Sequence, residues 1–348
     1  MPTVKETSFL KTFISEDFRP LIKGGRLDES HHPHFTLSED YSYETAPWLQ
    51  IKALCFGPKQ DKVLLNLEHA LSASDGVLVL YYEDLHRQWS YVMTSEDAYF
   101  IFQKNEQECF RVKPNCLYIR GCQVSMEDSR WMLLGEFYNF IDSWEGKVLC
   151  APSSQHNNES KLYQLNQSLK LAANNKPSVS IGHSYVVKGQ ECFKQLSPNK
   201  SYIVKSLSGI RSRVVDEAHY NEWSLKNLEN LPVLFQEKVA GNDLRIHVLN
   251  GNLYGKFSVE KEAVDYRYDD NFFSLEDYDK FTEELQAFCI DASLLEENQL
   301  LGIDFIKSKD GYVVLEANPS PGWSAYYPCN GIETNPFIKD LIHLLTTC

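Results

Sequence analysis

Short apolar runs and longer helical stripes alternate along this chain. Ile51 to Phe56 and Gly76 to Tyr82 are compact, partly β-branched runs that predict strands, and Leu64 to Leu71 between them supplies helix. Met132 to Trp144 sets Leu133, Phe137, Phe140, Ile141 and Trp144 at the spacing of a helix packed on one face. Further alternation between Tyr91 and Arg120 ends in Leu117-Tyr118-Ile119-Arg120, whose arginine either reaches a cleft or forms a surface ion pair. Ala151 to Asn158 carries Pro, Ser, Gln and Asn, breaks the pattern and reads as a linker. Asn157 or Asn158 is placed to cap the next helix, whose apolar face would be Leu162, Leu165, Leu169 and Ala172 or Ala173.

The second half is richer in strands. Ser201 to Ser206, Leu231 to Val239 and Asp243 to Leu249 each have strand character, and Asn250-Gly251 marks a hairpin before Leu253 to Val259. Ser274-Leu275-Glu276-Asp277 has the form of a capping box, which predicts a helix carrying Leu275, Tyr278, Phe281, Leu285 and Phe288. Strands interleaved with helices define an α/β class.

Composition narrows the function. Of 348 residues, 43% are apolar and 24% charged, so the chain can bury a large core and divides into two or three domains or lobes. The formal charge is −14, from 34 basic and 48 acidic side chains, a field that repels nucleic acid. No apolar window approaches the about 18 residues of a membrane span, and Met1 to Thr7 lacks the pattern of a secretory signal, so the expected location is cytoplasmic, with no membrane partner. Nine dispersed cysteines without paired zinc spacing are expected to be reduced thiols. His31-His32-Pro33-His34 reads as a surface or domain-contact loop rather than a metal patch.

Chemistry concentrates near the carboxyl end. Gly302-Ile303-Asp304-Phe305-Ile306 and Val313 to Asn318 read as paired strands joined by a Lys309-Asp310-Gly311 turn. Alternation would put Glu316, Asn318 and Val314 on one face, with Leu315 and Ala317 on the other, and Asp304 can reach that face from the neighbouring strand. Two carboxylates and an amide oxygen make a hard-cation donor set suited to magnesium, which is usually completed by substrate phosphates. The competing reading is a pair of ordinary polar hairpin residues. Lys205 stands where a strand meets Ser208-Gly209, a place for an ammonium to meet phosphate. Backbone groups around Gln236, Glu237, Lys238 and Val239 could read an adenine edge. Asp243, Arg245 and His247 share a strand face, where Arg245 has the planar fork for a carboxylate or phosphate and His247 suits a satisfied sheet histidine.

Taken in order, Lys161, Lys205, Gln236-Glu237-Lys238-Val239, Asp243-Leu244-Arg245, Asp304 and Glu316-Ala317-Asn318-Pro319 resemble the nucleotide-binding and catalytic parts of ATP-grasp ligases, over about residues 151 to 330. The carboxy-terminal run is similar to the ribosomal-protein-glutamate-ligase branch and its peptide-crosslinking, graspetide-type relatives. The resemblance implies an ATP-grasp fold, with an amino-terminal α/β domain over 1–150, a central lobe over 151–235 and a magnesium-binding lobe over 236–348. It implies that Lys161 and Lys205 contact ATP phosphates and that Gln236, Glu237, Lys238, Val239 and Asp243 belong to the nucleotide site. Asp304, Glu316 and Asn318 would hold Mg2+, Arg245 and Lys205 would stabilise the reacting acyl phosphate or transferring phosphoryl group, and Arg267 of Asp265-Tyr266-Arg267 would be a second catalytic candidate, contacting an acidic substrate or phosphate. Lys256 and Ser258 stand where related ligases often present an arginine. The implied reaction joins a carboxylate on a peptide or small molecule to an amine or hydroxyl through an acyl phosphate. A small-metabolite carboxylate–amine ligase and a non-catalytic nucleotide- or peptide-binding protein are the alternatives, and the resemblance admits a homodimer.

Overall fold

In a computed structural model the chain is described at residues 22–23, 26–27, 46–71, 75–85, 89–103, 109–121, 130–154, 160–172, 178–189, 196, 200–207, 212–215, 232–258, 275–296, 299–328 and 335–347. It divides into two compact units, one of Met1–Pro152 with Cys329–Cys348 and the other of Ser153–Pro328. No helix among the described residues is long and apolar enough to cross a membrane. The described cysteines Cys55, Cys109, Cys116, Cys150 and Cys289 are free thiols and buried.

The first unit contains the short antiparallel pair β1 (Ile22–Lys23) and β2 (Arg26–Leu27). It continues through β3 (Ala53–Gly57), α1 (Lys62–Ala70), β4 (Val77–Tyr81), β5 (Trp89–Met93), β6 (Ala98–Gln103), β7 (Cys109–Val112), β8 (Cys116–Ile119), α2 (Arg130–Asp142) and β9 (Lys147–Leu149). Strands β4, β3, β8 and β9 form a parallel sheet in that order, and β5, β6 and β7 an antiparallel one. Apolar runs such as Leu54 and Phe56, Leu117 and Ile119 are fully covered, as parallel sheets require. Phe137, Phe140 and Ile141 of α2 close the same core, so the helical spacing seen in the sequence marks its packed face. The helix Pro336–Thr347 also belongs to this unit and buries Phe337, Ile338, Leu341, Leu344 and Leu345.

Asp61 decides where α1 begins. One carboxylate oxygen accepts the amides of Val63 and Leu64 at 2.9 and 3.0 Å, and the other meets Arg120 Nε at 3.1 Å. Of the two readings of Arg120, the ion pair is the one observed, and it is largely buried.

The second unit begins with α3 (Lys161–Ala172) and continues with β10 (Val179–Ile181), β11 (Ser184–Val187), β12 (Tyr202–Ser206), β13 (Ser212–Val215), β14 (Val233–Glu237), β15 (Asn242–Leu249) and β16 (Asn252–Ser258). It ends with β17 (Leu275–Tyr278), α4 (Glu283–Leu295), β18 (Leu300–Ser308) and β19 (Gly311–Asn318). Two sheets result: a six-stranded one in the order β10-β19-β18-β15-β16-β17, and a four-stranded one in the order β11-β14-β12-β13. The larger sheet is antiparallel except for the β10–β19 pair. The expected hairpin between β15 and β16 is present, with Asn250 and Gly251 at positive φ of 49° and 83° and Leu249 facing Asn252.

Even-numbered residues of β15 and odd-numbered residues of β18 face the core, where Leu244, Ile246, Val248, Leu301, Ile303 and Phe305 pack with Leu285, Phe288 and Cys289 of α4. The opposite face of the same strands carries Arg245, His247 and Asp304, each next in register to a core residue.

Three local expectations are corrected. The expected helix over Leu275 to Phe288 is a strand followed by a later helix. Leu275–Tyr278 pairs with β16, and α4 starts after Thr282, whose hydroxyl accepts the Leu285 amide at 3.2 Å with Glu283 and Glu284 in the first turn. The true capping residue lay further along the chain.

The second correction concerns α3. It buries Gln164, Ser168 and Leu171, whereas Leu162 and Leu169 are 44% and 54% exposed. Its buried side puts Leu171 into the apolar core and Gln164 against the Ala317 carbonyl, so counting apolar positions selected the wrong stripe. Its first turn is capped by Ser160, which accepts the Tyr163 amide at 3.2 Å; Asn157 and Asn158 lie outside the described residues.

The third correction is at Val314. The register between β18 and β19 shifts after Asp304, so Glu316 faces Asp304 while Val314 faces Phe305, with Leu315 as the extra residue. Val314 therefore joins the core, and Glu316 and Asn318 turn to the other side.

Replacing Asp61 with Ala removes a helix cap and leaves the Arg120 guanidinium buried without this carboxylate. Urea unfolding should show a loss of about 3 kcal/mol. A loss under about 0.5 kcal/mol, the level of an ordinary surface change, would show that neither contact matters to the unit.

Candidate active site

A single row of charged residues crosses the larger sheet. Register pairs Asp277 with Lys256, Lys256 with Arg245, Arg245 with Asp304, and Asp304 with Glu316. Cross-strand partners share a face, so the five side chains stand side by side over β17, β16, β15, β18 and β19. Lys161 of α3 completes the row by meeting Glu316 Oε2 at 2.5 Å.

The order of signs is −, +, +, −, −, +. Two like-charged pairs sit directly opposite each other, which is unfavourable on a sheet. Each member is compensated by a partner of opposite sign: Lys256 by Asp277 at 2.5 Å, Arg245 by Asp304 at 2.8 Å and Glu316 by Lys161. Arg245 and Lys161 are largely buried, so these are not solvent-screened surface pairs.

Gly302 sets the height of Arg245 above the sheet. A Cβ at this position would lie 2.2 Å from Arg245 Nη2 and 2.6 Å from both Arg245 Cζ and Pro321 Cβ. Only glycine lets the guanidinium lie flat there. Tyr326 covers it, with Cζ 5.9 Å from the ring centroid, and Lys256 Nζ stands 5.5 Å from the Tyr327 ring.

Beside this row lies a cleft with an empty volume of about 310 Å³, open solvent included. Lys161, Gln164 and Ser168 of α3 line it, with Lys205 of β12 and Leu234 and Gln236 of β14. Lys161 therefore belongs to the cleft and to the charged row at once. Its ammonium also donates to Gln164 Oε1 at 3.2 Å, and Gln164 Nε2 donates to the Ala317 carbonyl at 3.3 Å. Lys205 is buried, and the buried Gln236 Oε1 finds no hydrogen-bond partner among the described residues. A buried ammonium suits an anionic group and an unsatisfied amide oxygen suits a hydrogen-bond donor, so the cavity suits a polar ligand that carries both.

The sequence-derived candidates therefore separate into groups. Asp304, Glu316 and Arg245 adjoin in the row, and Asn318 lies opposite Gly302 on the same face, two residues beyond Glu316. Asn318 Oδ1 accepts the Ser320 amide at 2.8 Å, which fixes the side chain at the strand end. Lys161, Lys205 and Gln236 share the cleft. Glu237 sits at the end of β14 with its carboxylate 2.5 Å from Lys200 Nζ, a contact that raises the pKa of this exposed lysine. The amides of Glu237 and Lys238 bond to the carbonyls of His183 and Ser201 at 2.9 and 2.8 Å, so both are engaged between strands. Asp243 lies on β15 opposite Ile306, half-buried and one residue pair away from Arg245 on the same face. Val239 follows β14 and is exposed to an intermediate degree. Arg267 and the Asp265-Tyr266-Arg267 segment lie outside the described residues, as does Ser208-Gly209.

His247 is satisfied, as expected for a sheet histidine. It is fully buried, with Nε2 3.4 Å from Arg245 Nε and Nδ1 3.1 Å from the Tyr327 hydroxyl. Burial first, and then the adjacent Arg245 charge, hold its pKa well below the usual value, so the ring is neutral. Burial likewise pushes the Tyr327 phenol upward.

Gln164, Gly302, Tyr326 and Tyr327 were not among the sequence-derived candidates. A glycine inside a strand two residues before an acidic candidate was the available signal for Gly302.

Magnesium is the metal that the resemblance implies, and the donor set fits it. Asp304 and Glu316 are cross-strand neighbours, Asn318 adds an amide oxygen on the same face, and all are hard oxygen donors. No group of three or more His, Cys, Asp or Glu side chains forms a metal cluster among the described residues. Two carboxylates and an amide suit an ion that shares its shell with phosphate rather than one caged by protein.

Comparison with known proteins places this geometry in a class. The RimK-like ATP-grasp domain matches residues 167–342, and the chain belongs to that family. The chain is 34% identical over 95 residues to the coenzyme gamma-F420-2:alpha-L-glutamate ligase of Methanocaldococcus jannaschii, a stretch covering 26% of this chain and 31% of that enzyme. Its fold is similar to that of a RiPP-associated ATP-grasp ligase of Chryseobacterium gregarium solved with ADP and a leader and core peptide, with TM-score 0.67, 17% identity and coverage of 85% of this chain and 96% of the other. It is also similar to the ATP-grasp ligase PsnB, solved with a phosphomimetic variant of a minimal precursor, Mg and ADP, with TM-score 0.65, 18% identity and coverage of 86% and 99%. The expected α/β, ATP-grasp fold and family are thus established.

Gly302→Ala should drive the Arg245 guanidinium off Asp304 and lower stability by about 1–3 kcal/mol in thermal unfolding, the cost of an overpacked site. With Arg245→Ala in the background, the cost of the added methyl should fall but not vanish, because Pro321 Cβ would still lie 2.6 Å away. Equal costs in both backgrounds would remove Arg245 as the reason for the glycine.

Proposed function

We propose that the chain is an ATP-dependent carboxylate ligase that forms an amide or ester, with a carboxylate-bearing peptide as its substrate class. The observation that carries this reading is the adjacency of Asp304 and Glu316 on one sheet face, joined through Lys161 to a cleft that also holds Lys205. The family membership supplies the prior for ATP, and the peptides in two fold relatives favour a peptide substrate.

A carboxylate resists nucleophilic attack because it is already anionic and oxide leaves poorly. In the proposed reaction a substrate carboxylate oxygen attacks the γ-phosphorus of ATP and ADP departs. The resulting acyl phosphate is attacked by an amine or hydroxyl, which loses a proton as inorganic phosphate leaves. Lys161 and Lys205 would hold the polyphosphate by charge, with Lys205 buried and therefore little screened. Arg245 would offer its planar guanidinium to the transferring phosphoryl group while Asp304 fixes one edge of it. Asp304, Glu316 and Asn318 would hold Mg2+, which when bound neutralises phosphate charge. The Lys161–Glu316 pair sets the carboxylate that would hold the ion beside an ammonium that would meet the nucleotide. Gln236 lines the cleft, Glu237, Lys238 and Val239 follow it in the chain and would read the base, and Arg267 is the further candidate for an acidic substrate or phosphate.

A small-molecule acceptor is the second reading, favoured by the 34% identity to a coenzyme glutamate ligase. Mass spectrometry of acidic peptides and small carboxylates incubated with Mg·ATP separates the two. Loss of one water from a peptide signals internal condensation, and addition of an amino-acid residue signals ligation. ATP consumed with neither class modified would contradict the proposal.

Asp304→Ala and Glu316→Ala should each lower kcat about a hundredfold in folded protein, the effect of losing about 3 kcal/mol of aimed electrostatic stabilisation. Lys205→Ala should raise KM for ATP. Near-wild-type turnover by both carboxylate variants at limiting magnesium would contradict the assignments, and unchanged ATP kinetics would remove Lys205 from the site.

A further inference from the structure

Arg245 is held by a chain of hydrogen bonds that runs away from the cleft. The Tyr327 hydroxyl donates to the Tyr254 carbonyl at 3.0 Å, so its oxygen is left to accept from His247 Nδ1–H at 3.1 Å. That arrangement puts the single ring proton of neutral His247 on Nδ1 and leaves the Nε2 lone pair facing Arg245 Nε–H at 3.4 Å. The Gly322 backbone also hydrogen-bonds the ring. The imidazole packs edge-on to Tyr326 and Tyr327, each with its ring centroid 5.2 Å away. The charged neighbours are Arg245, held by Asp304, and Lys256, which stands over the Tyr327 ring and is held by Asp277.

A guanidinium that meets a carboxylate through one edge alone can swing about that contact. A second anchor at Nε fixes its plane. We propose that His247 and Tyr327 form a buried positioning pair that fixes the plane of the Arg245 guanidinium, so that its aim at the phosphoryl group is set by the Trp323–Pro328 segment just beyond the last proposed metal ligand. The proposal rests on the ligase reading for its catalytic consequence and on the hydrogen-bond chain alone for its structural one. His247 and Tyr327 act through Arg245 and are positioning residues. A core histidine needed only for packing would accept any side chain of similar volume. A positioning pair demands an acceptor at Nε2 and a hydroxyl at Tyr327.

Two measurements separate these roles. With arginine Nε labelled with 15N, hydrogen exchange of Arg245 Nε–H in the full chain should be slow, and about tenfold faster in His247→Leu, as the loss of one hydrogen bond requires. His247→Gln, whose amide oxygen reaches the Nε2 position, should restore exchange to within about threefold of the starting protein, and Tyr327→Phe should fall between. Turnover of Mg·ATP with a modified acidic peptide should follow the same order, with kcat lowered about tenfold in His247→Leu and KM for ATP changed less than about twofold. The His247→Leu/Tyr327→Phe double variant should be no worse than His247→Leu, since both act through one contact. Equal exchange in His247→Leu and His247→Gln, or additive losses in the double variant, would overturn the proposal. The exchange measurement needs no turnover, so it decides the positioning claim even if the ligase reading fails.

Discussion

Two carboxylates standing opposite each other on neighbouring strands repel, and the second unit is organised around keeping Asp304 and Glu316 in that position. Arg245 compensates one and Lys161 the other, from a strand and a helix on opposite sides of the pair. Removing either cation leaves a partly buried charge beside a like one, an expensive arrangement in a low-dielectric setting. Structures tolerate such local conflict where function needs it. Here the conflict falls on the residues proposed to gather a divalent ion and a polyphosphate.

The backbone supports the conflict in two ways. The extra residue at Leu315 reverses the facing of β19 between Val314 and Glu316, so one strand gives an apolar side chain to the core and, two residues on, acidic and amide side chains to the opposite face. Gly302 opens a flat space in β18 for Arg245, and Tyr326 covers it. The α3 helix then brings Lys161 to Glu316 while its Gln164 side chain bonds the strand at Ala317. Position and charge compensation are supplied by the same contacts.

Much of this was legible in the sequence because strands and turns write local signals. Asn250-Gly251 announced its hairpin, and the short Lys309-Asp310-Gly311 turn announced the pairing that sets Asp304 opposite Glu316. Three features were hidden for physical reasons. A bulge adds one residue without altering composition, so simple alternation misplaced Val314. The polar stripe of α3 is buried because it faces a cleft, and a count of apolar positions chose Leu162 and Leu169 instead. The Arg245–Asp304 step of the charged row depends on register between strands distant in sequence, which periodicity along one strand does not encode.

The most direct test is calorimetric titration of ATP, with and without Mg2+, into the chain and into its Asp304→Asn/Glu316→Gln double variant. These substitutions keep shape and remove both charges. If the paired carboxylates form the cation site, Mg2+ strengthens ATP binding to the unaltered chain and has little effect on the double variant, which still binds free ATP through its lysines. Equal strengthening by Mg2+ in both proteins would contradict the account.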